Sequence, residues 1–361
     1  MKKDWKYEHI RPFYDEEVNA AMKRIADNNL FDVIMPHLFP DKEIEDVRTF
    51  VRNIDNIQAF QNKITTVFCE KVIEKTISKF TYSGLENINK NTNYLFISNH
   101  RDIVLDAMFF NYVLNENGHN PSEITFGSNL MMSPFIIDFG KANRMFKVDR
   151  PNECNGIKDF YEKSMLLSQY IYDCINTYGE SIWIAQRNGR TKNGIDKTDP
   201  GIIKMFYMCT NEMHNKDNQP LCNVNILTNL HIVPVTISYQ YEPCDIQKVL
   251  ELYYTQKNGF YKKAADEDLN SIITGIKQFK GSVHLHIGQQ LQRTEIELFS
   301  HLPHNKFNIE IAKLIDTKIN TNYKHFDTES AIINEKHEEL LQSNVEDKDL
   351  LLQIFDNIYK L

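Results

Sequence analysis

No stretch of the 361 residues approaches the roughly 18 consecutive apolar residues that a membrane-spanning helix requires. The richest run, Leu130 to Phe139, is interrupted by Ser133, Pro134 and Asp138, so no segment is expected to cross a bilayer. Cysteine is sparse and unpatterned. Cys69, Cys154, Cys174, Cys209, Cys222 and Cys244 include no CxxC pair, and a chain this long does not need covalent staples, so thiols, mostly buried, are expected. Positive charge does not dominate either: 41 Lys plus Arg stand against 49 Asp plus Glu, a formal charge of −8, which argues against a general nucleic-acid binder. The GxSxG, HExxH and P-loop patterns are absent, which leaves serine-hydrolase, zinc-peptidase and nucleoside-triphosphatase chemistry without an anchor. No apolar core and no small-residue cleavage site follow Met1-Lys2-Lys3-Asp4-Trp5-Lys6, so a cytoplasmic protein is expected.

What is present supports a substantial core. Hydrophobic residues make up 42% of the chain and 22 Phe and 17 Tyr supply bulky packing groups, enough for one large domain with elaborations or two modest ones. From Tyr14 to Lys79 there is no Gly, and apolar residues recur at three- and four-residue steps. The clearest helical stretch runs from Glu43 to Phe80, where Ile44, Val47, Val51, Ile54, Ile64, Val67, Phe68, Val72 and Ile73 form one stripe. Such a stripe suits a helix layer packed on a domain, or contact with a membrane surface. After Gly84 short β-rich runs alternate with helical patterns. The runs are Tyr94 to Ser98, Ile124 to Phe126, Met145 to Val148, Ser181 to Ala185, His231 to Ser238 and Ser282 to Ile287. Helices are expected at Asp106 to Leu114, Gly156 to Thr177 and Pro200 to His214, then at Ile332 to Leu341 and Asp347 to Tyr359. This alternation predicts an α/β fold with a mainly parallel sheet flanked by helices. The expected organisation is a helical N-terminal region (1–83), an α/β domain (84–300) and a helical C-terminal extension (301–361).

The run Tyr94 to Ser98 leads straight into Asn99-His100-Arg101-Asp102-Ile103-Val104-Leu105-Asp106. In α/β sheets ligands bind beyond the carboxyl ends of strands, which is where this histidine falls. A carboxylate bonded to one imidazole nitrogen fixes the tautomer and raises the basicity of the other, as a general base for a hydroxyl requires. Both Asp102 and Asp106 are candidates, and Asp102 could instead cap the following helix. Further on, Arg187, Arg190 and Lys192 cluster around Gly189 in a chain that is net negative. Such a patch suits an anion, since guanidinium binds phosphate bidentately and Gly lets backbone approach closely. Arg150 ends its own strand and would join the same sheet edge. Met131 and Met132, among bulky apolar neighbours, make an adaptable surface for an acyl chain or lipid, or an ordinary buried helix.

Ser98-Asn99-His100-Arg101 followed closely by Asp resembles the first motif of the glycerolipid acyltransferases, the glycerol-3-phosphate and 1-acylglycerol-3-phosphate acyltransferase family. Three further blocks follow in that family's order: Gly140 with Met145 to Arg150, Trp183 to Lys192, and Ile232 to Tyr239. The resemblance spans about residues 90 to 290. It implies a His-Asp dyad at His100, and substrate-binding residues at Arg101, Arg150, Arg187, Asn188, Gly189, Arg190 and Lys192. The implied reaction moves a fatty acyl group from acyl-carrier protein or coenzyme A to a glycerol-phosphate-like or lysolipid hydroxyl, with no cofactor and no metal. The enzyme would work at the inner face of the membrane as a peripheral protein; the alternative is an inactive lipid-binding or regulatory relative. Two departures stand out. The family's Asp would fall at position 105, which is Leu105, so one inserted residue would make Asp106 the partner, in preference to Asp102. The third block carries Asn188, or Arg187 in a shifted alignment, where the family has Glu.

His100-Arg101-Asp102 and Asp138-Phe139-Gly140 also reproduce two protein-kinase tripeptides. A kinase needs Asn five residues after the catalytic Asp, where this chain has Ala107, and no Gly-rich loop precedes the region. His284 with His286, and His301 with His304, lack companion ligands and are expected to be structural.

Overall fold

A computed structural model of the chain describes residues 2–209, 222–264 and 266–360, without the side chain of Asn152. Every expected β-run forms a strand: β2 (Leu95–Ser98), β3 (Glu123–Gly127), β4 (Met145–Val148), β5 (Ile182–Ala185), β6 (Ile232–Tyr239) and β7 (Gly281–Ile287). A further strand, β1 (Ile77–Ser83), precedes them, and the sheet order is β1-β7-β6-β2-β5-β3-β4. All neighbours run parallel except β6 and β7, which are antiparallel.

The central strands are buried on both faces, which is why they read as continuous apolar runs. In β2, Leu95 and Ile97 enter one core with Ile171, Ile182, Phe206 and Phe307, while Phe96 points to the other face, with Phe110, Trp183 and Val235. Each such fully buried side chain contributes roughly 1.5–3 kcal/mol relative to exposure. The helix His304–Thr321 of the C-terminal segment supplies Phe307, Ile311 and Ile315 to the first of these cores.

The Glu43 to Phe80 stripe packs inward as a helix layer. Val47, Val51, Ile54 and Ile64 join Val18, Met22 and Phe31 in a separate core against Phe135 and Ala142. Its expected helical end is corrected: the helix Thr66–Thr76 stops, and Ile77–Ser83 forms β1. The sheet therefore begins inside the segment 1–83 read as helical. β1 is an edge strand with four exposed positions, and its pairing partner β7 lies some 200 residues away, so nothing local marks it as a strand. The helix expected over Pro200 to His214 is observed at Pro200–Phe206, and positions 210–214 lie outside the described residues.

Candidate active site

His100 follows the carboxyl end of β2, where three separate clamps hold the turn. The Asn99 amide takes the place of a strand residue, donating to the Ile237 carbonyl (2.9 Å) and accepting from its N–H (2.8 Å). The Thr191 N–H donates to the His100 carbonyl (2.9 Å), tying the turn to the segment after β5. The third clamp is Arg101, whose guanidinium donates to Asp196 (2.6 Å), Glu242 (3.0 Å) and the Gly194 carbonyl (2.8 Å), and lies 4.8 Å from the Tyr323 ring centre. Lys248 completes this buried network, donating to Glu242 (2.6 Å) and to the Arg101 carbonyl (2.7 Å). Two cations meet two anions, so the network is neutral. Burial alone would lower the Arg101 guanidinium and raise Glu242, but their mutual charges win: Arg101 is held well above its ordinary value and Glu242 below. Arg101, expected to bind substrate, is thus committed internally because every guanidinium nitrogen already has a buried partner.

Asp106 is the carboxylate that reaches the imidazole. The helix Leu105–Glu116 begins one residue later than four-residue spacing would require, which brings Asp106 into its first turn with Oδ2 at 3.1 Å from His100 Nδ1. Oδ2 also accepts the N–H groups of Arg101 (2.7 Å) and Asp102 (2.9 Å), and Oδ1 accepts the Tyr239 hydroxyl (2.8 Å). A carboxylate only accepts, so the His100 contact places the proton on Nδ1 and leaves Nε2 with its lone pair in the neutral ring. The Asp106 side chain is 1% exposed and that of His100 14%, so the acid is sealed while the ring still meets solvent. The ring edge faces Trp183, with centres 6.4 Å apart.

Asp102 plays the other part. Its Oδ1 accepts the N–H groups of Val104 (2.9 Å) and Leu105 (2.8 Å), capping the helix that carries Asp106. Its Oδ2 faces Gly275 of the helix Glu267–Lys277, where an added Cβ would sit 2.1 Å away. Gly275→Ala must therefore push the capping carboxylate and the His100 turn. A loss of about 1–3 kcal/mol in unfolding free energy is expected from such overpacking, with reduced activity alongside it; an unchanged unfolding midpoint would contradict the contact.

The basic residues divide into two groups. Arg190 is turned inward, 5% exposed, and its Nη1 has no hydrogen-bond partner among the described residues. Lys192 is paired with Glu251, and burial, with the neighbouring charge of Arg190, lowers its pKa. Arg187 and Arg150 are half-buried, with no hydrogen bond from either guanidinium to a described residue. Arg150 lies beside Gly127 at the end of β3; a Cβ there would be 3.6 Å from its Nε and Nη2. Asn188 and Gly189 form the exposed tip of the turn, and Gly189 has φ +73°, a conformation that favours glycine. Gly140 brings its helix onto β3, since a Cβ there would meet the Phe126 ring at 2.7 Å.

Several residues of this assembly carried no sequence signal: Tyr239, Asn99, Asp196, Glu242, Lys248 and Gly275. Asn99 and Tyr239 lay inside quoted motifs without a role assigned to them, and the other four meet the His100 turn from elements far along the chain. The kinase tripeptides do not converge: Asp138 is paired with Arg24 of the N-terminal helix Asp15–Ala26 (2.7 Å). His284 and His286 bond Thr81 and Ser83 on β1. Among the described residues no group of three or more His, Cys, Asp or Glu is placed to hold a metal ion. Nor is any described helix long and apolar enough to cross a membrane. A cavity of about 330 Å³ lined by Lys2, Lys3, Glu8 and Arg11 lies at the other end of the sheet, where Lys3 pairs with Glu123 at the start of β3.

Residues 79–238, which contain His100, Asp106, Arg150 and the basic turn, match the family described as Acyltransferase. The matched segment runs from within β1 to near the end of β6 and contains the carboxyl ends of β1, β2, β3, β4 and β5. Comparison with curated proteins gives no match. Among solved structures the chain is similar to the 1-acyl-sn-glycerophosphate (LPA) acyltransferase PlsC from Thermotoga maritima. The two share 13% identity over 85% of this chain and 96% of that one, with a TM-score of 0.37, a likeness too distant to carry chemistry across.

Proposed function

We propose that this acyltransferase moves a fatty acyl group from a thioester of acyl-carrier protein or coenzyme A to the hydroxyl of a glycerol-phosphate-like or lysolipid acceptor, in membrane lipid biosynthesis. The observation that carries the reading is the 3.1 Å contact between His100 Nδ1 and a sealed carboxylate, with the ring still open to solvent. His100 Nε2 takes the proton of the acceptor hydroxyl as its oxygen attacks the thioester carbonyl. The new C–O bond forms, the C–S bond breaks, and the proton passes from Nε2 to the departing thiolate. The arrangement works as two members of a serine-protease triad do, with the substrate supplying the nucleophile. Asp106 orients the ring, and Asp102 caps the helix that carries it.

Arg150 and Arg187, whose guanidinium groups make no hydrogen bond to a described residue, are the side chains proposed to grip the acceptor's anionic group, with the buried Arg190 behind them. Arg187→Gln is expected to raise KM for a phosphate-bearing acceptor about tenfold, one charge-assisted bond at a partly exposed site, while KM for the thioester stays unchanged. An equal rise for both substrates would count against this division. Met132, 43% exposed, and Ile157, 90% exposed, follow β3 and β4 on the His100 side of the sheet and support peripheral contact with the membrane that holds the acceptor.

The deciding experiment incubates the purified chain with labelled acyl-carrier protein or acyl-coenzyme A and a bacterial lipid extract, with products read by mass spectrometry. An acylated glycerolipid supports the proposal. Lipid binding without any acylated product supports the second reading, an inactive lipid-binding relative, which Asn188 at the expected Glu position favours.

A further inference from the structure

We infer that Tyr239 is a positioning residue: its hydroxyl, delivered from the end of β6, fixes the Asp106 carboxylate and thereby sets how strongly His100 holds a proton. The inference rests on the proposed role of His100 and extends it to a residue outside the His-Asp pair. Asp106 accepts four hydrogen bonds, and three of them (His100 Nδ1 and two backbone N–H groups) fall on Oδ2. Among the described residues Tyr239 alone donates to Oδ1, at 2.8 Å. Without it, that oxygen would be a buried carboxylate oxygen with no donor, while the three bonds on Oδ2 keep the group against the imidazole.

The hydroxyl is a dependable donor. Burial first, then the charges of Asp106 and Asp102, push the Tyr239 phenol well above its ordinary value, so it keeps its proton. Several ionisable groups surround the pair: Lys280 and Cys244 face Asp102, and Tyr323 meets the Tyr239 backbone. Asp106 comes from the helix Leu105–Glu116, Asp102 and Arg101 from the turn, and Glu242 from the segment after β6, where Arg101 and Lys248 neutralise it. Trp183, the neighbour from β5, does not titrate. Each donor on Asp106 spreads its negative charge and weakens its pull on the imidazolium. Removing the Tyr239 hydroxyl therefore concentrates charge opposite Nδ1 and stabilises the protonated ring.

The test is Tyr239→Phe in the full chain, which keeps the ring and removes the donor. The midpoint of the His100 imidazole titration, followed by NMR without any substrate, is expected to rise by about half a unit to one unit. The acidic limb of the kcat/KM profile for acyl transfer should move by the same amount, with KM unchanged. Site-specific replacement of Tyr239 by fluorotyrosine makes the hydroxyl a stronger donor and should move the midpoint down. It also serves if the Phe variant folds poorly. A midpoint that moves in neither variant overturns the inference even if activity drops, because general loosening lowers kcat without retuning the ring. A wild-type chain that transfers no acyl group would defeat the proposed function, and the NMR titration would still decide the role of Tyr239.

Discussion

His100→Ala should lower acyl transfer by about 10²- to 10⁴-fold, the range that a lost general base commands, while leaving the unfolding midpoint essentially where it was. Both halves follow from the geometry. The ring carries the contact from the sealed Asp106 carboxylate out toward solvent, so its loss removes the proposed proton acceptor. Its removal does not strand Asp106, which keeps the Arg101 and Asp102 N–H groups and the Tyr239 hydroxyl. The measurement is turnover with a thioester donor at saturating acceptor, beside thermal unfolding of the same preparation. Near-normal turnover would remove His100 from the chemistry, and a collapsed midpoint would make it a structural histidine instead.

Arg101→Met should show the opposite signature. The guanidinium is buried against Asp196 and Glu242, and removing it leaves Glu242 with Lys248 while buried Asp196 loses its cation and keeps, among the described residues, only the Asn99 amide. Breaking a buried pair from one side costs about 3–5 kcal/mol, because the remaining charge is uncompensated. A clearly lower unfolding midpoint in denaturant is expected. Activity should fall too, since the turn that presents His100 loses its anchor to Asp196, Glu242 and Gly194. Full stability with a selective rise in acceptor KM would restore Arg101 to the substrate-binding set. On the proposed function, the adjacent residues His100 and Arg101 separate chemistry from support.

Much of the architecture was legible because the signals were local. Strands buried on both faces, such as β2 and β6, leave uninterrupted apolar runs, and the helices between them leave a three-to-four periodicity. β1 was missed because an edge strand with a mostly exposed surface has no such run, and its definition comes from β7. The choice of Asp106 over Asp102 was also within reach, since an extra residue before a helix start changes which carboxylate enters the first turn. The internal pairing of Arg101 was not legible, because Asp196 and Glu242 reach it from distant parts of the chain.

The order of the elements, the position of His100 beyond a central strand and the presence of a basic turn are properties of the sequence alone, because strand burial and helix periodicity are written in neighbouring residues. Which arginines point outward, which carboxylate touches the imidazole and what holds that carboxylate were decided only by the tertiary structure. Those outcomes depend on desolvation and pairing among Asp106, Tyr239, Asp196, Glu242 and Gly275, residues that meet only when the sheet assembles. In a folded interior a charge takes its role from its partners, and those partners lie far apart along the chain.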